Sequence, residues 1–290
     1  MIRTLLQQET MGPGHLACAG CGAALAMRYT LEALGPKTIV VVPAGCWSTF
    51  IGVYPYSCLS VPVMSVAFAT TAATASGIRA GLEALGREDE TVLAWAGDGG
   101  TFDIGIQALS GASERNEDII FVCYDNEAYM NTGIQRSSAT PAGTVTTTTP
   151  ISAPKPQKKK DIVAIMAAHG VPYAATASIA FPEDFMAKLV KAKSIRGTKF
   201  LHLFTSCPTG WRHEPDLSIE VAAKAVASRV FPLYEVFDGE RWQLNAMPDK
   251  VNITDYLQCQ GRFRNMSPRA RRTFQDTVDA DWSKLLKKCV

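Results

Sequence analysis

Four short apolar runs set the terms for the fold: Thr38–Val42 (TIVVV), Thr91–Ala96 (TVLAWA), Ile119–Tyr124 (IIFVCY) and Lys199–Phe204 (KFLHLF). Each is almost continuously hydrophobic, without the polar alternation of a half-exposed strand. That is the signature of strands buried on both faces of a parallel sheet. Ala23–Leu34, Ala72–Leu85, Phe102–Ser113, Asp161–His169 and Pro182–Ala192 read as helices between them, the first stopped by Gly35-Pro36. Tyr173–Ala175 reads as a further short strand. Such alternation predicts an α/β fold with a doubly wound, mostly parallel sheet. Residues 138–160, rich in Thr, Pro and Lys, read as a long surface excursion. The pattern weakens beyond Trp211. The expected division is therefore an α/β domain over 1–215 and a C-terminal extension over 216–290, the latter carrying basic clusters at Arg262-Phe263-Arg264 and Arg269–Arg272.

Composition narrows the function classes. Of 290 residues 47% are hydrophobic and 19% charged, which excludes a disordered chain. Lys+Arg 29 against Asp+Glu 27 leaves a net charge of +2, too balanced for an overall nucleic-acid or membrane-surface footprint. The stretch from Thr38 to Ile78 holds 41 residues without a charge. Pro43, Pro55 and Pro62 interrupt it, so it reads as buried core and not as a membrane span. The first twenty residues lack the pattern of a secretory leader. The expectation is a soluble protein of the cytoplasm, with no nucleic-acid or membrane partner. In a reducing compartment its 8 cysteines call for an explanation other than disulfides.

Gly97-Asp98-Gly99 follows one strand run directly and precedes a helix. Ligands of open α/β sheets bind outside the carboxyl ends of strands. There, glycines let backbone N–H groups approach phosphate oxygens, and the helix N-terminus favours negative charge. Asp98 would add a hard oxygen for a bridging cation. After Gly99 come 26 residues (100–125), and then Asn126, just past the next strand run. Adjacent parallel strands would bring Asp98 and Asn126 to the same sheet edge, within reach of one octahedral Mg2+. An ordinary strand–helix turn and a turn-favoured Asn are the plain alternative.

The cysteines form a second constellation. Cys18-Ala19-Gly20-Cys21 is a C-x2-C pair, followed by the single residues Cys46 and Cys207, the last preceding Pro208. Four thiolates suit tetrahedral zinc or a [4Fe–4S] cluster. One pair plus two singletons, with a Pro after the last, leans toward iron–sulfur ligation. Local sequence leaves zinc open, and also the reading of Cys46 and Cys207 as small buried hydrophobes.

The run Gly97–Gly105 (GDGGTFDIG), with Tyr124–Gly133 (YDNEAYMNTG), closely resembles the β subunits of 2-oxoacid:ferredoxin oxidoreductases, of which pyruvate:ferredoxin oxidoreductase (pyruvate synthase) is the best-known type. His15–Gly22 (HLACAGCG), Gly45-Cys46 and Ser206-Cys207-Pro208 match the same family. The resemblance covers roughly residues 10–215. It implies the thiamine diphosphate-binding fold, with Asp98, Asn126 and the Ala128 backbone carbonyl holding Mg2+ on the diphosphate cradled by Gly97 and Gly99. It places Asn131 near the thiazolium and the substrate, in a catalytic position. Cys18, Cys21, Cys46 and Cys207 would bind the proximal [4Fe–4S] cluster, while Cys58, Cys123, Cys259 and Cys289 match no ligand position.

The implied reaction is oxidative decarboxylation of a 2-oxoacid, pyruvate first, with CoA as acyl acceptor and ferredoxin as electron acceptor. Oxalate, 2-oxoisovalerate, 2-oxoglutarate and indolepyruvate are alternatives within the family. The family's α subunit supplies the activating Glu and substrate-binding residues, and γ and ferredoxin-like δ subunits or domains complete it, so a lone β chain should be inactive. A non-redox thiamine decarboxylase or synthase and a zinc-stapled, non-catalytic binding subunit are the rival readings. Other features read as structural. Glu127 in the loop is a structural rather than a catalytic group, Cys123 and His202 belong to core strands, and Lys158–Lys160 is a solvated run. The C-terminal basic cluster either steers an acidic ferredoxin or anchors a partner subunit.

Overall fold

A computed structural model describes residues 10–248 and 252–289; part of the N-terminal stretch read above for a leader lies outside the described residues. The chain runs α1 (Gly22–Leu34), β1 (Thr38–Pro43), α2 (Cys46–Phe50), β2 (Val63–Val66), α3 (Thr71–Ala84) and β3 (Thr91–Gly97). A π-helical turn (Gly99–Asp103) then leads to α4 (Ile106–Glu114) and β4 (Ile120–Asp125). Next come α5 (Ile162–Ala168), β5 (Tyr173–Ser178), α6 (Pro182–Ser194), β6 (Lys199–Phe204) and α7 (Pro208–Trp211). After a 3-10 turn (Pro215–Leu217) follow α8 (Ser218–Ala227), β7 (Tyr234–Phe237), β8 (Arg241–Leu244), α9 (Ile253–Gln258), a second 3-10 turn (Gly261–Phe263) and α10 (Pro268–Lys288).

One 8-stranded sheet has the order β2-β1-β3-β4-β6-β5-β7-β8. The first six of these strands pair in parallel, and β7 and β8 add as an antiparallel hairpin beside β5. The mostly parallel α/β expectation therefore holds, and the residues read as an extension contribute two strands to the same sheet. Alternation along the strands divides the core. Val40, Val42, Leu93, Trp95, Val122 and Leu201 face a layer containing α1 and α6. Val41, Val92, Ala94, Ala96, Phe121 and Phe200 face a layer with α3, α4 and α10. Among the described residues no helix is long and apolar enough to cross a membrane.

Register fixes what stands at the carboxyl edge. Gly97 pairs with Tyr124, and Asp125 pairs with Phe204. The strands β1, β3, β4 and β6 thus end side by side, and the residues just after them are Cys46, Asp98, Asn126 and Cys207.

Two expectations need correction. The helix expected from Phe102 begins at Ile106, because the chain first makes the π turn. Backbone packs on backbone there: a Cβ on Gly105 would lie 1.8 Å from the Gly100 carbonyl oxygen. The 138–160 segment is also no mere surface excursion. Ala139, Thr140, Thr144, Thr146, Thr149 and Lys155 are buried in it. Its threonines satisfy the buried backbone they accompany; Thr140 donates to the Glu127 carbonyl at 2.6 Å and Thr149 to the Thr144 carbonyl at 3.1 Å.

Candidate active site

Asp98 emerges from β3 and Asn126 from the neighbouring β4, as the parallel pairing requires. The Asn126 side-chain amide lies 3.0 Å from Asp98 Oδ1 and 2.9 Å from the Ala128 carbonyl oxygen. With Nδ2 inward, the amide donates to both. Turned by 180° it presents Oδ1 beside them, and three hard oxygens then face one point. A carboxylate, an amide oxygen and a backbone carbonyl form a donor set for Mg2+.

The electrostatics agree with a cation there. Burial and the nearby Asp125 carboxylate push the Asp98 carboxyl well above the ordinary carboxylate range. Ser137 Oγ donates to it, and among the described residues no Lys, Arg or His forms an ion pair with it. Asp125 differs. Burial opposes its charge, yet Lys159 and His202 hold it down at about 2. His202 Nε2 lies 2.7 Å from Asp125 Oδ2 and, because a carboxylate can only accept, must carry the proton. The core reading of His202 holds. The solvated reading of Lys158–Lys160 holds for Lys158, which is exposed, but not for the other two. Lys159 turns inward to pair with Asp125 and with Glu127, the latter at 2.8 Å, and Lys160 donates to the Phe102 carbonyl.

Glycines shape the floor of the site. A Cβ on Gly99 would come within 2.4 Å of the Tyr129 ring, and one on Gly97 within 3.3 Å of Tyr124. Tyr129 is held over this floor by donation from its hydroxyl to Asp103 Oδ2 at 2.8 Å. Asn131 is exposed at the far end of the same loop.

The four cysteines arrive on three interlocked segments. Cys21 caps α1, Cys46 opens α2 and Cys207 caps α7. The backbone N–H of Gly22 donates to the Ser206 carbonyl at 3.1 Å, and Ser218 Oγ to the Gly20 carbonyl at 2.6 Å. Gly20 has φ +70°, and a Cβ there would sit 2.3 Å from the Pro215 carbonyl, so the Cys18–Cys21 loop lies flat on the turn after Cys207. The N–H of Leu16 donates to the Phe50 carbonyl at 3.3 Å, tying that loop to α2.

Burial raises the Cys46 thiol to about 12, helped by its neighbours Cys207, Cys21 and Cys18. Burial likewise raises Cys207 to about 11. Such thiols give up their protons readily only to a metal. Among the described residues no three His, Cys, Asp or Glu side chains are grouped tightly enough for a single metal ion. The oxygen triad at Asp98 draws on an amide and a carbonyl, which are not groups of that kind. Of the remaining cysteines, Cys58 and Cys123 are buried. Cys259 receives a hydrogen bond from Lys224 at 3.1 Å, and Cys289 ends α10.

Residues 43–203 match the family of thiamine pyrophosphate enzymes, C-terminal TPP binding domain. The chain is 48% identical to the ketoisovalerate oxidoreductase subunit VorB of Pyrococcus horikoshii, across 98% of this chain and 94% of that one. It is 46% identical to the pyruvate synthase subunit PorB of Methanothermobacter thermautotrophicus, across 94% of this chain and 96% of that one. The chain belongs to the β-subunit family of 2-oxoacid:ferredoxin oxidoreductases. A solved 2-oxoglutarate:ferredoxin oxidoreductase from Magnetococcus marinus shares the fold, with a TM-score of 0.59 and 22% identity over 75% of this chain and 82% of that one. The stretch that matches the thiamine pyrophosphate family contains both Asp98 and Asn126.

Sequence reasoning missed the groups that surround these residues. Ser137, Lys159, Trp211 and Arg262 all reach the Asp98–Ala128 region from distant segments. No periodicity or spacing links Arg262 to Glu127, 135 residues away. Trp211 alone left a trace, as an aromatic four residues beyond Cys207.

Proposed function

We propose that this chain carries thiamine diphosphate–Mg2+ and a proximal [4Fe–4S] cluster in a complex that oxidatively decarboxylates a 2-oxoacid and delivers the electrons to ferredoxin. One observation carries the reading: an oxygen triad and four thiols stand together at one edge of one sheet. Asp98, Asn126 and the Ala128 carbonyl would hold the Mg2+, and the turn at Gly97–Gly99 would take the diphosphate. Thiamine diphosphate supplies a nucleophilic carbon and an electron sink, and an iron–sulfur cluster accepts electrons singly. Tyr129, fixed by Asp103 over Gly99, would wall the cofactor from the helix side. Asn131, exposed on the same loop, would meet the substrate carbonyl. Cys18, Cys21, Cys46 and Cys207 would ligate the cluster.

The described residues form one sheet, and an α subunit would supply the activating Glu and the substrate-carboxylate residues. The γ and ferredoxin-like δ subunits or domains would complete an assembly working in the cytoplasm. The stretch after residue 215 would contact these partners. Pyruvate with CoA is the first substrate pair. The Pyrococcus relatives named for ketoisovalerate favour 2-oxoisovalerate as the second. The deciding experiment is anaerobic purification of the assembled complex, followed by iron analysis, a visible spectrum and 2-oxoacid profiling with and without CoA. A brown protein with about four iron atoms per copy of this chain beyond those of the ferredoxin-like component, and pyruvate-dependent ferredoxin reduction, is expected. A colourless protein, or turnover confined to oxalate without CoA, overturns the reading.

A further inference from the structure

Glu127 sits between two of the three proposed Mg2+ ligands and has φ +64°, a backbone conformation that side-chain-bearing residues seldom adopt. Peptide orientation at this one residue decides where the Asn126 side chain and the Ala128 carbonyl point. Its environment is correspondingly full. Its N–H donates to Asp125 Oδ1 at 2.8 Å, its carbonyl accepts from Thr140 Oγ1 at 2.6 Å, and Lys159 reaches its Oε1 at 2.8 Å. Its other carboxylate oxygen, Oε2, accepts from Arg262 Nη2 at 2.5 Å, with both side chains almost wholly buried.

Arg262 lies far outside the stretch that matches the thiamine-binding family, in the C-terminal residues. Its guanidinium is 4.0 Å from the Trp211 ring centroid, and its Nε donates to Gln260 Oε1 at 2.8 Å. Trp211 Nε1 in turn donates to the Asn126 carbonyl at 2.7 Å. The peptide on one side of Glu127 is therefore gripped through Trp211, and the Glu127 side chain directly. Two cations, Lys159 and Arg262, balance two carboxylates, Asp125 and Glu127, which leaves the Asp98 charge for a metal ion.

We propose that Arg262, stacked on Trp211 and paired with Glu127, is a positioning residue that holds the 125–128 turn in its metal-gathering conformation. This rests on the magnesium reading of Asp98, Asn126 and Ala128. The role suits arginine alone, since a planar fork both stacks and pairs where a lysine ammonium does only the second.

The test uses the assembled, anaerobically purified complex. Calorimetry follows thiamine diphosphate binding at a series of Mg2+ concentrations for wild type, Arg262→Gln, Arg262→Lys and Trp211→Phe. Partners one shell out from a metal typically change its affinity by about 10- to 100-fold. Arg262→Gln should thus need about tenfold more Mg2+ for half-maximal cofactor binding, with iron content unchanged. Lysine should restore only part of the loss. A merely structural residue would lower the melting temperature without moving the Mg2+ midpoint of the folded enzyme. A folded Arg262→Gln complex with the wild-type midpoint overturns the proposal. Should that variant fail to fold, Trp211→Phe, which keeps an aromatic ring under Arg262 but removes the N–H to Asn126 together with part of the ring, carries the same two outcomes. If wild type itself binds thiamine diphosphate without any Mg2+ dependence, the magnesium reading fails instead.

Discussion

Trp211 Nε1 donates to the carbonyl oxygen of Asn126 at 2.7 Å. Trp211 ends the short helix capped by Cys207, and Asn126 is a proposed magnesium ligand, so the two constellations share one rigid joint. A Cβ on Gly210, between them, would meet Met130 of the magnesium loop at 2.2 Å, which shows how tightly the two turns interlock. Losing a thiol that anchors the Cys207 turn should therefore be felt in the magnesium loop. Cys207→Ser is expected to lose iron and also to weaken thiamine diphosphate binding several-fold. Iron assay and calorimetry on the same preparation measure both, and cofactor affinity unmoved by iron loss contradicts the coupling.

Asp98 gives a sharper separation of stability from function. It is a buried acid kept from ionising comfortably until a cation arrives. Asp98→Asn should therefore stabilise the apo-protein by about 1 kcal/mol while its thiamine diphosphate affinity collapses. Thermal melts without cofactor, set beside binding isotherms, check this. A variant that binds cofactor normally would falsify the assignment of the loop.

Among the cysteines, serine at position 18, 21, 46 or 207 should each cost iron, because a hydroxyl is a poor soft ligand. Serine at 58, 123, 259 or 289 should leave iron near the wild-type amount. Cys123→Ser is the informative control: its fully buried side chain predicts a loss of roughly 1–3 kcal/mol in stability with the iron retained.

Two glycines with opposite surroundings test the floor of the site. Gly99→Ala drives a methyl into the Tyr129 ring and should displace it from Asp103, lowering cofactor affinity. Gly77→Ala, exposed in mid-α3 with nothing within 4 Å, should stabilise the protein by about 0.5–1 kcal/mol and leave cofactor binding alone. Equal effects of the two on affinity would refute the steric account.

Acid should weaken the antiparallel edge. Burial opposes the Glu235 charge, but hydrogen bonds from Lys191, Tyr173 and Asn245 outweigh it and hold the carboxyl below its ordinary value. A carboxyl depressed in the folded state stabilises the fold at pH above its unfolded value. That contribution fades as pH drops through the folded value, and is gone once both states are protonated. The apo-protein should lose stability as pH falls below about 4.5. Glu235→Gln should flatten that slope, and denaturant melts from pH 3 to 7 would show whether it does.

Much of this was legible before any coordinates. The runs at 38–42, 91–96, 119–124 and 199–204 are strands because parallel-sheet burial leaves near-continuous apolar stretches, and motif spacing then put Asp98 beside Asn126 at their ends. What stayed hidden is long-range pairing among polar groups. Lys159 looked solvated because a lysine triplet on a Thr- and Pro-rich segment carries no sign of the two buried carboxylates it serves. Arg262 looked like one more member of a basic cluster, although its neighbour Arg264 is exposed and it is not. The strands at 234–237 and 241–244 escaped because an edge hairpin needs little apolar periodicity to join a sheet already formed.

The Ser218 hydroxyl that donates to the Gly20 carbonyl closes a span of 198 residues. Loop closure of that length adds little to the equilibrium cost, because the entropy grows only as the logarithm of loop size. Its effect is on time. Contacts so remote in sequence follow a slow conformational search through parallel pairings that are themselves non-local. The clasp between the Cys18–Cys21 loop and the turn after Cys207 should therefore form late. The four thiols would then first meet in a chain whose sheet is already in place, and iron delivered earlier would find only the Cys18–Cys21 pair and two isolated thiols.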